Sequence, residues 1–395
     1  MERVGEVLRC RIRGQDSYVL RTRSVSLALT VNGAHLAPVT FFPEEPAPIS
    51  PYAIAPWAEE PLPADTPPVI ASLRGDWFCS AFGANSDTDA SRKLPLHGET
   101  ANSAWHLLEK GQTDAGCWLR LGVDLPLQGG RCQGTTALLN HHSVIYQRHD
   151  LTELTGPCSP GHHATLVLPN TEGAGRLSFS RLALAHTWLE PIEHPENHGY
   201  SYLQPGVEIK DLRAAPCSDG SATDLLRYPA RRGYEDLALL CADPTLPLAW
   251  SAITVPDQRF AWFALRNPKQ LASTLLWFSN GGRHYVPWSG RHLNVLGIED
   301  ITAFFHIGLN SSCRANMLNE RGIPTCLNPD AAGRLSIPYI QGVARIPPEF
   351  DQVLDIEPQH DQSAVLLRSK SGVTVEVNCR IEFLNTGLLP ELGFT

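Results

Sequence analysis

Apolar residues fall at every second position in several short stretches of the chain. In "SVSLALTVN" (24–32) Val25, Leu27, Leu29 and Val31 share one face of an extended backbone, and in "GVTVEVNCRIEF" (372–383) Val373, Val375 and Val377 do the same. A period of two marks strands with one covered face. Shorter candidates are "SVIYQ", "ATLVLP", "RFAWFAL" and "STLLWFS", spaced among clusters of Pro, Gly, Asn and Asp. Together they predict an all-β sandwich of many strands. Helical spacing is confined to two places. "IEDITAFFHIGL" carries Ile301, Phe304, Phe305 and Leu309 at roughly helical intervals, and "TANSAWHLLEKG" reads as a short helix capped by Thr100 and closed by Gly111.

The Pro-rich segment 43–68 reads as a long irregular loop. Tyr52, Ile54 and Trp57 give it material to pack against the body, which favours a covering loop over a hinge. No repeat at a short fixed period interrupts the pattern. A single domain over residues 1–395 is the expectation.

The stretch "NVLGIED" (294–300) breaks the apolar rule. Leu293, Val295 and Gly297 share a face with Glu299, while Leu296 and Ile298 lie on the other, so both faces of this strand are expected to be covered. Burying an ionised carboxylate without a partner costs several kcal/mol, so Glu299 should be paired, shifted in pKa or facing a wet pocket. A strand-end acid before a helix start is the plainer alternative.

Composition narrows the class. The chain has 395 residues, 43% hydrophobic and only 18% charged, with 32 Pro and 31 Gly. Low charge with many turn residues fits a sheet-rich globular protein. A net charge of -9 gives no electrostatic footprint for nucleic acid or an anionic membrane. "MERVGEVLRCRIRGQDSY" has no apolar h-region, and no stretch approaches the roughly 20 apolar residues of a membrane helix. Ten cysteines are scattered singly, with no C-x-x-C pair, as expected of reduced, mostly buried thiols in a cytoplasmic protein.

Groups capable of acid–base work cluster in "LRGDWFCSAFGAN" (Arg74, Asp76), "LPLHGETANSAW" (His97, Trp105), "LLNHHSVIYQRHD" (His141, His142, His149), "SPGHHATLVLP" (His162, His163) and "RRGYEDLAL" (Arg231, Arg232, Asp236). Taken singly, each also fits a turn, a solvated surface or an ion pair worth little. A shared metal site is disfavoured because adjacent histidines on a strand point to opposite faces, and H-E-x-x-H is absent.

In order along the chain, an Arg, then "LHG" followed by a Trp, then a His opening a strand, then "GYED", then "LGIED" resemble the galactose mutarotase superfamily, which includes the aldose 1-epimerases. The resemblance spans about residues 25–385. It departs from the family pattern where "GHHATLVLP" lacks the aromatic pair and "YED" stands for "YDH". It implies an antiparallel β-supersandwich with a few short helices, and a cofactor-independent enzyme interconverting the anomers of a small-molecule carbohydrate without a metal. Glu299 would be the general base, with His97 and His162 or His163 in proton transfer and Arg74, Asp236 and Trp105 binding the sugar. Two alternatives stay open: a non-catalytic carbohydrate-binding protein on the same fold, and a metal-dependent isomerase or oxygenase using the histidines.

Overall fold

A computed structural model describes residues 8–87 and 93–394. The stretch 1–7, where part of the secretory-signal question falls, lies outside the described residues. Strands make up 43% of the structure and helix 7%. Every strand pair among the described residues is antiparallel. No helix is long and apolar enough to cross a membrane.

Two large sheets form the body. The six-stranded one runs in spatial order Leu182–Thr187, Glu235–Ala242, Ser273–Ser279, Val295–Ile301, Pro160–Val167 and Phe78–Ser80. The nine-stranded one is centred on Phe260–Arg266, Leu335–Arg345 and Val144–Thr152. Their facing sides bury one continuous apolar core, with Leu296, Ile298 and Phe278 from the first sheet against Trp262, Tyr339 and Val343 from the second. Each fully buried side chain of this size contributes about 1.5–3 kcal/mol. A further sheet, Leu8–Arg21 with Val25–Phe41, adds Leu20, Leu27 and Phe41 to the same core.

Both outer faces are covered as well. The C-terminal residues 346–394, with Phe350, Phe383 and Phe394, cover Trp118, Tyr146 and Phe263 on the nine-stranded sheet. On the six-stranded sheet, residues 55–82 bring Trp57 and Trp77 over Leu237, Leu275 and Trp277. Within the Pro-rich segment, Ala53 N–H donates to the Thr165 carbonyl at 2.9 Å and Val167 N–H to the Pro51 carbonyl at 2.8 Å. Residues 51–53 thereby close the edge of the strand Pro160–Val167, an edge that would otherwise offer unpaired backbone groups. Trp57 is fully buried, and its indole N–H donates to the Ile70 carbonyl at 2.9 Å.

Three local expectations are corrected. Residues 106–113 form an edge strand beside Gly116–Asp124, where a short helix was expected. Thr100 caps nothing: its hydroxyl takes the Ser80 N–H and donates to the Phe78 carbonyl. Gly111 leaves room for the Trp118 indole, whose nitrogen would stand 2.4 Å from an added Cβ. After Ile301 the chain turns through an irregular loop, and helix appears only at Leu309–Cys313. Phe305 is buried in that loop at a φ of 50°, outside any right-handed helix. At the C-terminus the strand stops at Asn378, short of the full 372–383 run.

Because each large sheet is covered on both faces, no layer can leave without exposing another's core. A single-domain chain therefore predicts one cooperative heat-capacity peak in calorimetry; two resolved peaks would mean independently folding parts.

Candidate active site

Sheet register places the central pair of residues. Val295–Ile301 is hydrogen-bonded on both sides, and its Glu299 stands directly opposite His163 on one neighbour and Leu275 on the other. Directly opposed residues point to the same face. His163 Nε2 lies 3.2 Å from Glu299 Oε1. Gly297, two residues earlier on that face, leaves the space the carboxylate occupies: an added Cβ would sit 2.8 Å from Glu299 Oε1 and 3.0 Å from the Trp277 Cβ. Trp77 stacks on the His163 ring at 4.0 Å and 22°.

Two loops bring further imidazoles. His97 sits at a φ of 60°, followed by Gly98 at 78°, and a Cβ on Gly98 would lie 1.5 Å from the Ser80 carbonyl oxygen. Only glycine permits that approach, and the turn aims His97 at the cleft. The loop 302–308 pairs its backbone with residues 84 and 85 and brings His306 Nε2 within 3.4 Å of His97 Nε2. The His97 and His163 rings meet edge to face at 4.9 Å.

These groups line a small cleft on the outer face of the six-stranded sheet. Its walls include Trp77, Trp277 and Trp288, and its one further charged group is Arg283 among the described residues. The guanidinium lies over Trp288 at 4.5 Å and Trp277 at 5.5 Å, held by an ion pair to Glu193. Glu235 supports the wall from behind, accepting the Trp277 indole N–H at 2.9 Å and the Ser279 hydroxyl at 3.0 Å.

Burial sets the electrostatics. It pushes the Glu299 carboxyl well above its ordinary range, with Arg283 opposing, and pushes His163 and His97 well below theirs. Burial likewise moves Glu235 up to about 7, against the pull of Arg283. Both shifts favour the neutral forms of the two contacting groups, with one proton on the pair. Glu299 is 1% exposed, yet its Oε2 has no hydrogen-bond partner. Leaving such an oxygen unmatched costs about 1–3 kcal/mol or more. The next residue, Asp300, shows the structural alternative on the opposite face. Its carboxylate receives Arg266 at 2.9 Å, Thr274 at 2.7 Å and Tyr339 at 2.9 Å.

The structure therefore brings Glu299, His163 and His97 together and leaves the other candidates elsewhere. His162, one residue from His163, points into the core between the sheets, where Nδ1 meets Asp76 Oδ2 at 3.0 Å and the ring stacks on Tyr339. Trp105 lies in the same core, donating to the Thr100 carbonyl. Arg74 is spent on the backbone carbonyls of Ile12, Arg13 and Ser72, tying the N-terminal sheet to the body. Asp236 accepts the N–H groups of Tyr202 and Leu203 at 2.9 and 2.8 Å and holds that loop, with Arg231 at 3.6 Å. Sequence reasoning missed Arg283, Glu193 and His306, none of which carries a motif. Among the described residues no three His, Cys, Asp or Glu side chains are arranged to hold a metal ion. All ten cysteines are free and seven are buried.

Several antiparallel sheets with few short helices give the chain a galactose mutarotase-like fold. A candidate aldose 1-epimerase from Klebsiella pneumoniae superposes with a TM-score of 0.58 at 12% identity, over 84% of this chain and 80% of that one. A galactose mutarotase-like protein from Clostridium acetobutylicum gives 0.53 at 11%, over 86% and 99%. A galactose mutarotase related enzyme from Lactobacillus acidophilus gives 0.52 at 9%, over 84% and 99%. At these identities the likeness is one of fold. No family model and no curated protein sequence matches the chain.

The buried imidazoles give a pH dependence of stability. His292, behind Trp277, is pushed down to about 3 by burial, with Arg283 adding to the effect, against an ordinary value of 6.5. As pH falls, the unfolded chain takes this proton first, so the stability is whole above about 6.5 and is lost progressively toward 3. Each such group removes at most about 1.4 kcal/mol per pH unit. The melting temperature is expected to fall steeply from pH 6.5 to 4, and His292→Gln to flatten the slope. Parallel slopes in the two proteins would refute the assignment.

Proposed function

We propose that the chain is a cofactor-independent aldose 1-epimerase-like isomerase, converting one anomer of a free sugar to the other. The observation that carries this reading is the unpartnered Oε2 of Glu299, beside an imidazole 3.2 Å from its other oxygen, in a cleft walled by indoles. In the proposed reaction Glu299 takes the proton of the anomeric hydroxyl and His163 delivers one to the ring oxygen. The bond from C1 to the ring oxygen breaks, leaving an aldehyde and a free hydroxyl. Rotation about C1–C2 presents the other face of the carbonyl, and closure returns both protons to their sources. The two reacting oxygens are bonded to the same carbon, which suits an acid and a base that are themselves in contact. For these roles the single proton of the pair must sit on His163 with Glu299 ionised beside it when the sugar reacts, the form that a contacting pair can reach by moving one proton across 3.2 Å. His97, with an unpartnered buried Nδ1, would orient a sugar hydroxyl. The indole faces suit the apolar C–H faces of a sugar ring.

Glu299→Gln keeps shape but removes the base, and a loss of about 10²-fold or more in kcat is expected with sugar binding retained. His163→Asn should lower kcat comparably, whereas His162→Asn should cost stability and spare turnover per folded molecule. Activity should persist in chelator. Polarimetry or NMR saturation transfer reads these outcomes. An active wild type matched by Glu299→Gln would remove Glu299 as the base. Sugar binding without interconversion in the wild type would establish a carbohydrate-binding protein instead.

A further inference from the structure

We propose that the cleft takes an uncharged deoxy sugar, a pyranose with a methyl or methylene group where a common hexose carries a hydroxyl. The inference rests on the epimerase reading and adds the substrate class. Among the described residues the cleft has five polar side chains, and Glu299 and His163 are engaged at the anomeric centre. His97, His306 and Arg283, with the unpartnered Trp77 indole N–H, remain for every other hydroxyl. The rest of the lining is apolar: the indoles, and Val69, Ile70, Leu73, Leu96, Ile192 and Leu237. The Trp277 indole N–H is already taken by Glu235, while that of Trp77 is buried without a hydrogen-bond partner and stands as a further donor on this wall. A hydroxyl pressed on this aliphatic wall loses water and finds no partner, while a methyl group there is moved out of water to advantage.

Charge selects in the same direction. Arg283 is already paired with Glu193, whose oxygen also accepts the Tyr285 hydroxyl at 3.1 Å, and Glu235 lies close enough to act on its charge. Arg74 is committed to backbone carbonyls and Arg231 stands beside Asp236. A phosphate or uronate would meet a neutralised cation and the Glu299 carboxylate.

The test is a substrate panel with the wild-type protein. NMR saturation transfer would compare fucose with galactose, rhamnose with mannose and 2-deoxyglucose with glucose, alongside glucuronate and glucose 6-phosphate. At least one deoxy sugar is expected to exceed its parent in kcat/KM by about tenfold or more, the usual scale when a hydroxyl enters an apolar pocket unmatched. The charged sugars are expected to be inert. Ile192→Asn, at the half-buried rim, should narrow the ratio by giving the hydroxyl a partner. If each parent hexose equals or exceeds its deoxy counterpart, or a charged sugar is preferred, the substrate class is wrong and the epimerase reading survives. If no sugar on the panel is interconverted, both fall together.

Discussion

The site depends on one cross-strand pairing, Glu299 opposite His163, in the middle of a sheet whose two faces are both buried. Register and face are inseparable in a strand: a slip of one residue would turn Glu299 into the core and bring Asp300 to the cleft. The apolar core fixes that register, because Leu296 and Ile298 must face Trp262 and Tyr339 for the two sheets to close. Packing on one face thus positions chemistry on the other, without any loop in between. The same ladder sets Gly297 opposite Trp277, so that the indole and the carboxylate share a space no larger side chain at 297 would leave.

Two adjacent acids on this strand show how environment divides labour. Asp300 lies between the sheets with its oxygens matched by Arg266, Thr274, Ser251 and Tyr339. Removing one partner from such a buried set leaves a charge without compensation, so the group stabilises only as a complete unit. Glu299 carries a similar burial with one neighbour and one free oxygen. The fold bears that local cost on a strand anchored from both sides, where the surrounding packing is strong enough to hold it.

What the sequence made legible follows the same physics. Period-two patterning and turn clusters suffice for an all-β architecture because they depend on neighbours along the chain. Glu299 stood out as a carboxylate in a buried strand, and His97 through the "LHG" segment of the family resemblance. The choice between His162 and His163 required the register, which no single strand reveals. Arg74 and Asp236 looked like ligand-binding groups through the family resemblance, yet Arg74 is taken by backbone carbonyls and Asp236 Oδ1 by two backbone N–H groups from segments distant in sequence. Arg283 and Glu193 are 90 positions apart, and their pairing comes from two loops meeting above the sheet. The two misplaced helices have different causes: Thr100 and Gly111 looked like a cap and a stop but serve a hydrogen bond to the Phe78–Ser80 strand and the Trp118 indole, while the apolar residues of 301–309 are buried by an irregular loop.

Arg283 shows how a buried carboxylate can stay chemically useful. Burial alone would keep Glu299 protonated and unable to accept a proton; a direct ion pair would hold it ionised and make it a weak base. The Arg283 guanidinium is bound by Glu193 and packs over Trp277 and Trp288, and it opposes the rise of the Glu299 pKa only through space, without cancelling it. Its action is strengthened by the low local dielectric and fixed by the indoles that also shape the cleft. Glu193 consequently acts on Glu299 at one remove: by occupying the arginine it keeps the positive charge close to the carboxylate but out of contact. The apolar wall, the displaced charge and the free oxygen are therefore parts of one balance, in which Arg283 is committed to Glu193 and one oxygen of Glu299 keeps no partner.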